Sequence, residues 1–262
     1  MEVEAQPGAK DMPETALSPP PEVIRPGYKG SAKLKGKVAI VTGADSGIGR
    51  SVAVHFAREG CAAVVVCYHS HTEDAEETKR MVIEEGTACK IMGGDVGDSA
   101  FCNSIIEETI KEYGRIDVLV NNAAEQHPVD DITKMDPATI QRTFKTNIYS
   151  QIYLCRAAWP HLKRGASIIN VSSVNAYKGH GTLLDYTATK GAITAFSRAL
   201  ALSAVSSGIR VNSKEDFGKA TPMQRPGEPA EVAPSLVFLA SEDASYISGQ
   251  ALHPNGGRVV NA

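Results

Sequence analysis

Val38–Thr42 (VAIVT) is a short, wholly apolar run rich in β-branched side chains, with no polar residue alternating through it. Such a strand has no face to offer water, so it belongs in a sheet covered on both sides. The next stretch supplies one cover. Between Gly47 and Gly60, Ile48, Val52 and Phe56 fall on one helical stripe, and Gly60 is a C-terminal stop. The alternation then continues along the chain. Ala62–Cys67, Ala88–Gly93, Ile116–Val120, Ser167–Val171, Ile209–Asn212 and Gln250–His253 read as strands. Helices are expected over Glu73–Glu85, Ala100–Glu112, Pro137–Leu162, Asp185–Ser206 and Pro229–Ala240. The expected fold is α/β: a doubly wound, parallel seven-stranded sheet of Rossmann type with right-handed crossovers.

The first 33 residues stand apart. Pro7, Pro13, Pro19, Pro20, Pro21 and Pro26 crowd there, and Tyr28 is the sole aromatic residue before Phe56. With little apolar surface to bury, residues 1–33 are expected to form a mobile tail and 34–262 the single domain. Composition narrows the function classes. Lys+Arg 27 against Asp+Glu 30 gives a net charge of −3, which argues against a basic nucleic-acid surface or polybasic membrane attachment. Cys61, Cys67, Cys89, Cys102 and Cys155 follow no disulfide or metal-ligand spacing, as reduced thiols in a cytoplasmic protein would. His69 and His71 lack a third partner at metal-ligand spacing and are read as a surface loop, so no metal is expected.

The junction of the first strand and helix reads Thr42-Gly43-Ala44-Asp45-Ser46-Gly47-Ile48-Gly49. Gly43 permits a tight turn, Gly47 lets backbone approach a pyrophosphate, and Gly49 lets the helix pack close to the sheet. Asp45, Ser46 and Ile48 lie at a helix N-terminus, where free N–H groups favour phosphate. Two later turns fall on the same sheet edge. Asp95-Val96 follows the third strand and would meet an adenine; Asn122-Ala123 follows the fourth and leaves room for a flat group. Together they point to a dinucleotide across the carboxyl ends of the strands.

Tyr186 and Lys190 lie four apart, on one helix face. A free phenol titrates near ~10, and a neighbouring cation favours its ionised form, which makes Tyr186 a candidate acid/base. Ser173, at the end of the fifth strand, would hold a substrate oxygen beside it, and Asn147 would position a water for proton relay. Tyr186 and Lys190 are also candidates to bind the cofactor.

TGADSGIG (42–49), NNAA (121–124), Asn147, Ser173 and YTATK (186–190), in this order, resemble the short-chain dehydrogenase/reductase superfamily over residues 34–262. DVLVNNAAEQ (117–126), NAYKG (175–179), LLDYTATKGAI (183–193), GQALHPNGG (249–257) and the proline-bearing N-terminal extension are similar to the plant-type glucose and ribitol dehydrogenase homologues and their bacterial relatives. The resemblance implies an NAD- or NADP-dependent oxidoreductase acting on an alcohol or carbonyl, with a sugar or polyol among the substrates. It assigns Tyr186 as acid/base, Lys190 to the nicotinamide ribose, Ser173 to substrate and Asn147 to the relay, and it implies a homo-oligomer. Cofactor choice stays open: the second strand ends without an Asp, and Asp45 would repel a 2′-phosphate, for which Arg50 would partly compensate. That balance leans to NAD.

One stretch departs from the family pattern. Members usually follow the sixth strand with a Pro-Gly turn and a long segment over the active site. Here Asn212 is followed by Ser213-Lys214-Glu215-Asp216-Phe217-Gly218-Lys219-Ala220, and the pattern resumes at Thr221. A shortened substrate loop weakens substrate orientation while leaving the nucleotide half intact. Two alternatives therefore stand beside the enzyme: a cofactor-binding, catalytically impaired interaction protein, and a splice or gene-model variant without the lid.

Overall fold

In the computed structural model, residues 13–14, 17–216, 221–258 and 260 are described. Seven parallel strands run in the order β3-β2-β1-β4-β5-β6-β7. They are β1 (Val38–Thr42), β2 (Ala63–Tyr68), β3 (Ala88–Gly93), β4 (Ile116–Asn121), β5 (Leu162–Ser173), β6 (Arg210–Asp216) and β7 (Ala251–Leu252). The order reverses between β1 and β4, which opens a crevice at their carboxyl ends. Among the described residues eight helices connect the strands: α1 (Gly47–Arg58), α2 (Thr72–Glu84), α3 (Ser99–Tyr113), α4 (Pro137–Phe144), α5 (Ser150–Ala158), α6 (Asn175–Lys178), α7 (Leu184–Ala204) and α8 (Pro229–Ala240).

Burial of both sheet faces follows from the apolar runs. Ala39, Val41, Val64 and Val66 pack under α1 and α8, around Phe56, Leu236 and Val237. Their strand neighbours Ile40, Val65 and Cys67 point the other way, onto Ile105 and Ile106 of α3, Leu154 of α5 and Ala201 of α7. Burial pushes the Cys61, Cys102 and Cys155 thiols up to about 12, which keeps them protonated. Among the described residues no helix is long and apolar enough to cross a membrane.

Three elements differ from their expected bounds by more than two residues at an end. The helix expected over 137–162 is interrupted: α4 gives way to a π turn at Lys145–Tyr149, then α5, and β5 already begins at Leu162. β5 is longer at both ends than 167–171. β6 runs on from Asn212 to Asp216, pairing Lys214 with Val171 and Asp216 with Ser173. Lys214 is wholly buried there. Residues 217–220 of the shortened loop lie outside the described residues.

The N-terminal segment also departs from its expectation. Residues 1–12 and 15–16 of the expected tail lie outside the described residues, but 17–33 make specific contacts. Val23 and Ile24 pack on the core beside α1, and the Val23 carbonyl accepts from the Ser51 hydroxyl at 2.5 Å. Glu59, just past α1, accepts from the Tyr28 hydroxyl (2.5 Å) and from the N–H groups of Ser31 (2.9 Å) and Lys33 (3.1 Å). Composition misreads this stretch because a few anchors suffice. Proline restricts the unfolded chain, so less entropy is lost on docking.

Burial pushes the Glu59 carboxyl up, but the donors from Tyr28, Ser31 and Lys33 more than offset it and hold the group below its ordinary value of 4.5. A depressed carboxylate stabilises the fold above that ordinary value and loses its contribution as pH falls through the folded one. Glu59→Gln is therefore expected to cost about 1–3 kcal/mol at pH 7. In thermal melts the gap to the native chain should narrow as pH is lowered below 4.5. A gap independent of pH would count against the anchor.

Candidate active site

The turn after β1 is held by one hydroxyl. Thr42 Oγ1 donates to Val120 O at 3.4 Å and accepts from the N–H groups of Asn122 (2.9 Å) and Ala123 (3.0 Å). The Asn122 amide returns the contact, donating to Thr42 O (2.9 Å) and Gly43 O (3.0 Å). Gly43 needs its missing Cβ twice over: its φ is +60°, and a Cβ would lie 2.9 Å from Ala123 Cα. At Gly49 a Cβ would lie 2.0 Å from Gly43 O, so the close packing of helix on turn excludes any side chain.

Beyond this stitch lies a cavity of about 920 Å³. Its wall includes Gly43, Asp45, Ser46, Asp95, Val96, Asn122, Ala123 and Tyr186, eight of the expected cofactor residues. The end of β2 contributes Tyr68, His69 and His71, so these histidines face the cavity rather than forming only a surface loop. Gly47, Ile48, Gly49 and Lys190, also expected to bind the cofactor, are not among the residues that line it. The size is within the range of roughly 300–1,000 Å³ usual for small-molecule sites. A Cβ-free cradle opening onto a cavity of this size fits an extended dinucleotide.

Tyr186 sits in the first turn of α7, anchored through its neighbour. Asp185 accepts from the Tyr186 N–H at 2.7 Å and from the Thr143 hydroxyl at 2.8 Å, tying α7 to α4. Lys190, one turn on, is buried with its Nζ 5.3 Å from the Tyr186 ring centroid. The ammonium donates to Val171 O on β5 at 2.8 Å, and the Ser172 hydroxyl donates to Lys190 O at 2.9 Å. The end of β5 thus abuts the tyrosine-bearing helix, with Ser173 next in the strand, buried and accepting from the Asn175 N–H at 3.2 Å.

Asn147 is placed differently from its expected use. Its side chain is fully buried and committed: Nδ2 donates to Glu125 O (2.9 Å) and Thr189 Oγ1 (3.1 Å), and Oδ1 accepts from Glu125 N–H (2.8 Å). It clamps the loop after β4 to α7. The surrounding π turn at Lys145–Tyr149 takes carbonyls out of the regular helical ladder.

Arg50 is a correction. Expected to help receive a 2′-phosphate, it is buried, and each guanidinium nitrogen is already engaged: Nε with Thr78 Oγ1 (2.9 Å), Nη1 with Glu14 (2.6 Å), and Nη2 with Asp45 O (2.5 Å) and Asp74 O (3.1 Å). Sequence reasoning also missed Thr42, Glu125 and Glu14. Thr42 stands in the glycine motif and was legible as its first polar residue; Glu125 and Glu14 carry no local signal.

The family described as "short chain dehydrogenase" matches residues 37–231, and a second, described as "Enoyl-(Acyl carrier protein) reductase", matches 213–258. The "NADPH-dependent aldehyde reductase 1, chloroplastic" of Arabidopsis thaliana is 45% identical over 283 residues, covering 98% of this chain and 97% of its own. The "Glucose and ribitol dehydrogenase homolog 2" of the same plant is 47% identical over 285 residues, covering 99% and 96%. Both aligned lengths exceed the 262 residues of this chain, so each relative holds residues that it lacks. Among solved structures, a short chain dehydrogenase from Mycobacterium smegmatis superposes with a TM-score of 0.83 at 29% identity, covering 90% of this chain and 98% of its own.

Gly49→Ala tests the cradle. The added methyl meets backbone, which cannot rotate away, so a loss of about 1–3 kcal/mol is expected. Thermal unfolding should fall by roughly 2–4 °C per kcal/mol. An unchanged melting temperature would contradict the close approach of α1 to the turn.

Proposed function

Because this chain belongs to the short-chain dehydrogenase/reductase family, we propose that it interconverts an alcohol and a carbonyl on a sugar or polyol, with NAD preferred over NADP. It is an oxidoreductase of that family, and dehydrogenases of this family use one of these two dinucleotides. The observation that carries the reading is the placement of Tyr186 on the wall of the cavity into which the glycine turn opens, with the Lys190 ammonium 5.3 Å from its ring.

When bound, the nicotinamide supplies the ring that gives or takes a hydride. The chain supplies the proton. Tyr186 Oη exchanges a proton with the substrate oxygen, and the fixed charge of Lys190 stabilises the phenolate left behind. Ser173, at the end of β5, holds the same oxygen by hydrogen bonding. With its side chain fully used, Asn147 serves by fixing the loop at Glu125 against α7; a water relay would start from main-chain carbonyls of the π turn. Gly43, Gly47, Ile48 and Gly49 form the turn on which the pyrophosphate lies, with the Gly47 N–H itself taken by Glu14 Oε2. Asp45 and Ser46 face the adenosine ribose, Asp95 and Val96 the adenine, and Asn122 and Ala123 the nicotinamide side. The lean to NAD rests on Asp45 and on the full engagement of Arg50. A homo-oligomer is supported by the small residues Ala188 and Ala195, exposed on α7 beside Gly191 and Ala192.

One observation favours impaired turnover. Where family members turn away after the sixth strand, β6 here continues in register to Asp216, opposite Ser173. This supports a shortened substrate loop, with dinucleotide binding kept and substrate held loosely in an open site.

Two measurements test the reading. NADH should quench or shift protein fluorescence on titration, and a panel of polyols, sugars and aldehydes should give slow turnover with high KM. Tyr186→Phe should lower kcat by about 10²–10⁴-fold while leaving NADH affinity within twofold. Turnover equal to the native chain's would refute the role of the phenol. Rates at ordinary family levels would refute the impaired substrate site.

A further inference from the structure

Glu14 belongs to the N-terminal segment, yet its side chain is buried against the glycine turn. Oε2 accepts from the Gly47 N–H at 2.5 Å, at the first residue of α1. Oε1 accepts from Arg50 Nη1 at 2.6 Å, and the Glu14 N–H donates to Asp74 Oδ2 at 2.7 Å. Arg50 also pairs with Asp74 at 3.3 Å. The carboxylate lies outside the cavity wall, behind the turn, so it does not take the place of a ligand. It does determine the charge that a ligand would meet.

We propose that Glu14 selects the cofactor: by engaging Arg50 from behind the turn it disfavours a 2′-phosphate, and so favours NAD over NADP. The inference rests on the dinucleotide reading above. Arg50 is the cation whose guanidinium touches the glycine turn, through Asp45 O. Asp45 in turn lies on the cavity wall with Tyr68 and His69 at the end of β2, where the adenosine ribose is recognised in folds of this type. One guanidinium there pairs with the carboxylates of Glu14 and Asp74 and donates to the main-chain O of Asp45, whose own carboxylate lies 3.9 Å from His71 Nδ1. The surplus is negative. A ribose hydroxyl is indifferent to that surplus; a phosphate dianion is repelled by it. Glu14→Gln removes one negative charge while its amide oxygen can still accept from Arg50 Nη1, so what changes at the ribose is charge alone.

The test compares two affinities rather than one. NADH and NADPH are titrated by fluorescence into the full-length native chain, Glu14→Gln and Glu14→Asp. In the native chain NADH is expected to bind more tightly. In Glu14→Gln the ratio of the NADPH Kd to the NADH Kd should fall by about tenfold, mainly through tighter NADPH binding. Glu14→Asp keeps the charge and should keep a ratio near the native one. A segment that merely braces the fold would weaken both cofactors together and leave the ratio unmoved, which overturns the assignment of Glu14 alone. Binding of neither cofactor by the native chain overturns the dinucleotide reading and this inference with it.

Discussion

The site depends on the contact between the end of β1 and the end of β4. Where strand order reverses, two loops leave adjacent strands in opposite directions and must stay apart enough to admit a ligand, yet remain fixed. The Thr42 hydroxyl does this by donating to one strand's carbonyl and accepting two N–H groups from the loop beyond. Asn122 ties back to the main chain of Thr42 and Gly43. Five short-range polar contacts therefore hold the crevice open, in a region where a single side chain at position 43 would collide with Ala123.

Around that contact the chain divides its work between the sheet's two faces. α1 carries the phosphate-side turn and packs on α8, while α7 carries Tyr186 and Lys190 on the opposite layer, against β5. The N-terminal segment is part of the first half: it crosses α1 at Ser51, closes over Glu59, and reaches α8 through Arg25 and Glu231, a 2.7 Å ion pair. Its place in the fold is thus structural as well as electrostatic.

Much of this was legible in the residues. Apolar β-branched runs such as VAIVT locate strands because nothing but a doubly covered sheet accommodates them, and the glycine spacing locates the crevice because each missing Cβ has a steric reason. Other features have no local signature. The π turn at Lys145–Tyr149 carries Asn147, which clamps Glu125 to α7, and helical periodicity reads straight through it. The contacts of Arg25 and Glu22 join residues 206 apart in sequence. Arg50 looked available for a ligand because its position was visible and its partners were not. Run-on of β6 also escaped notice, since Ser213–Asp216 is polar and carries no strand pattern of its own; the ladder with β5 imposes it.

The bond between Lys190 Nζ and Val171 O has one more consequence. A long, flexible amine ordinarily has to be arrested when its partner arrives, and that ordering subtracts from affinity. Here the backbone of β5 already restrains it, so the positive charge beside the Tyr186 ring is a standing feature of the fold. Arrival of a ligand finds the field in place, and the entropy of ordering that side chain was spent during folding.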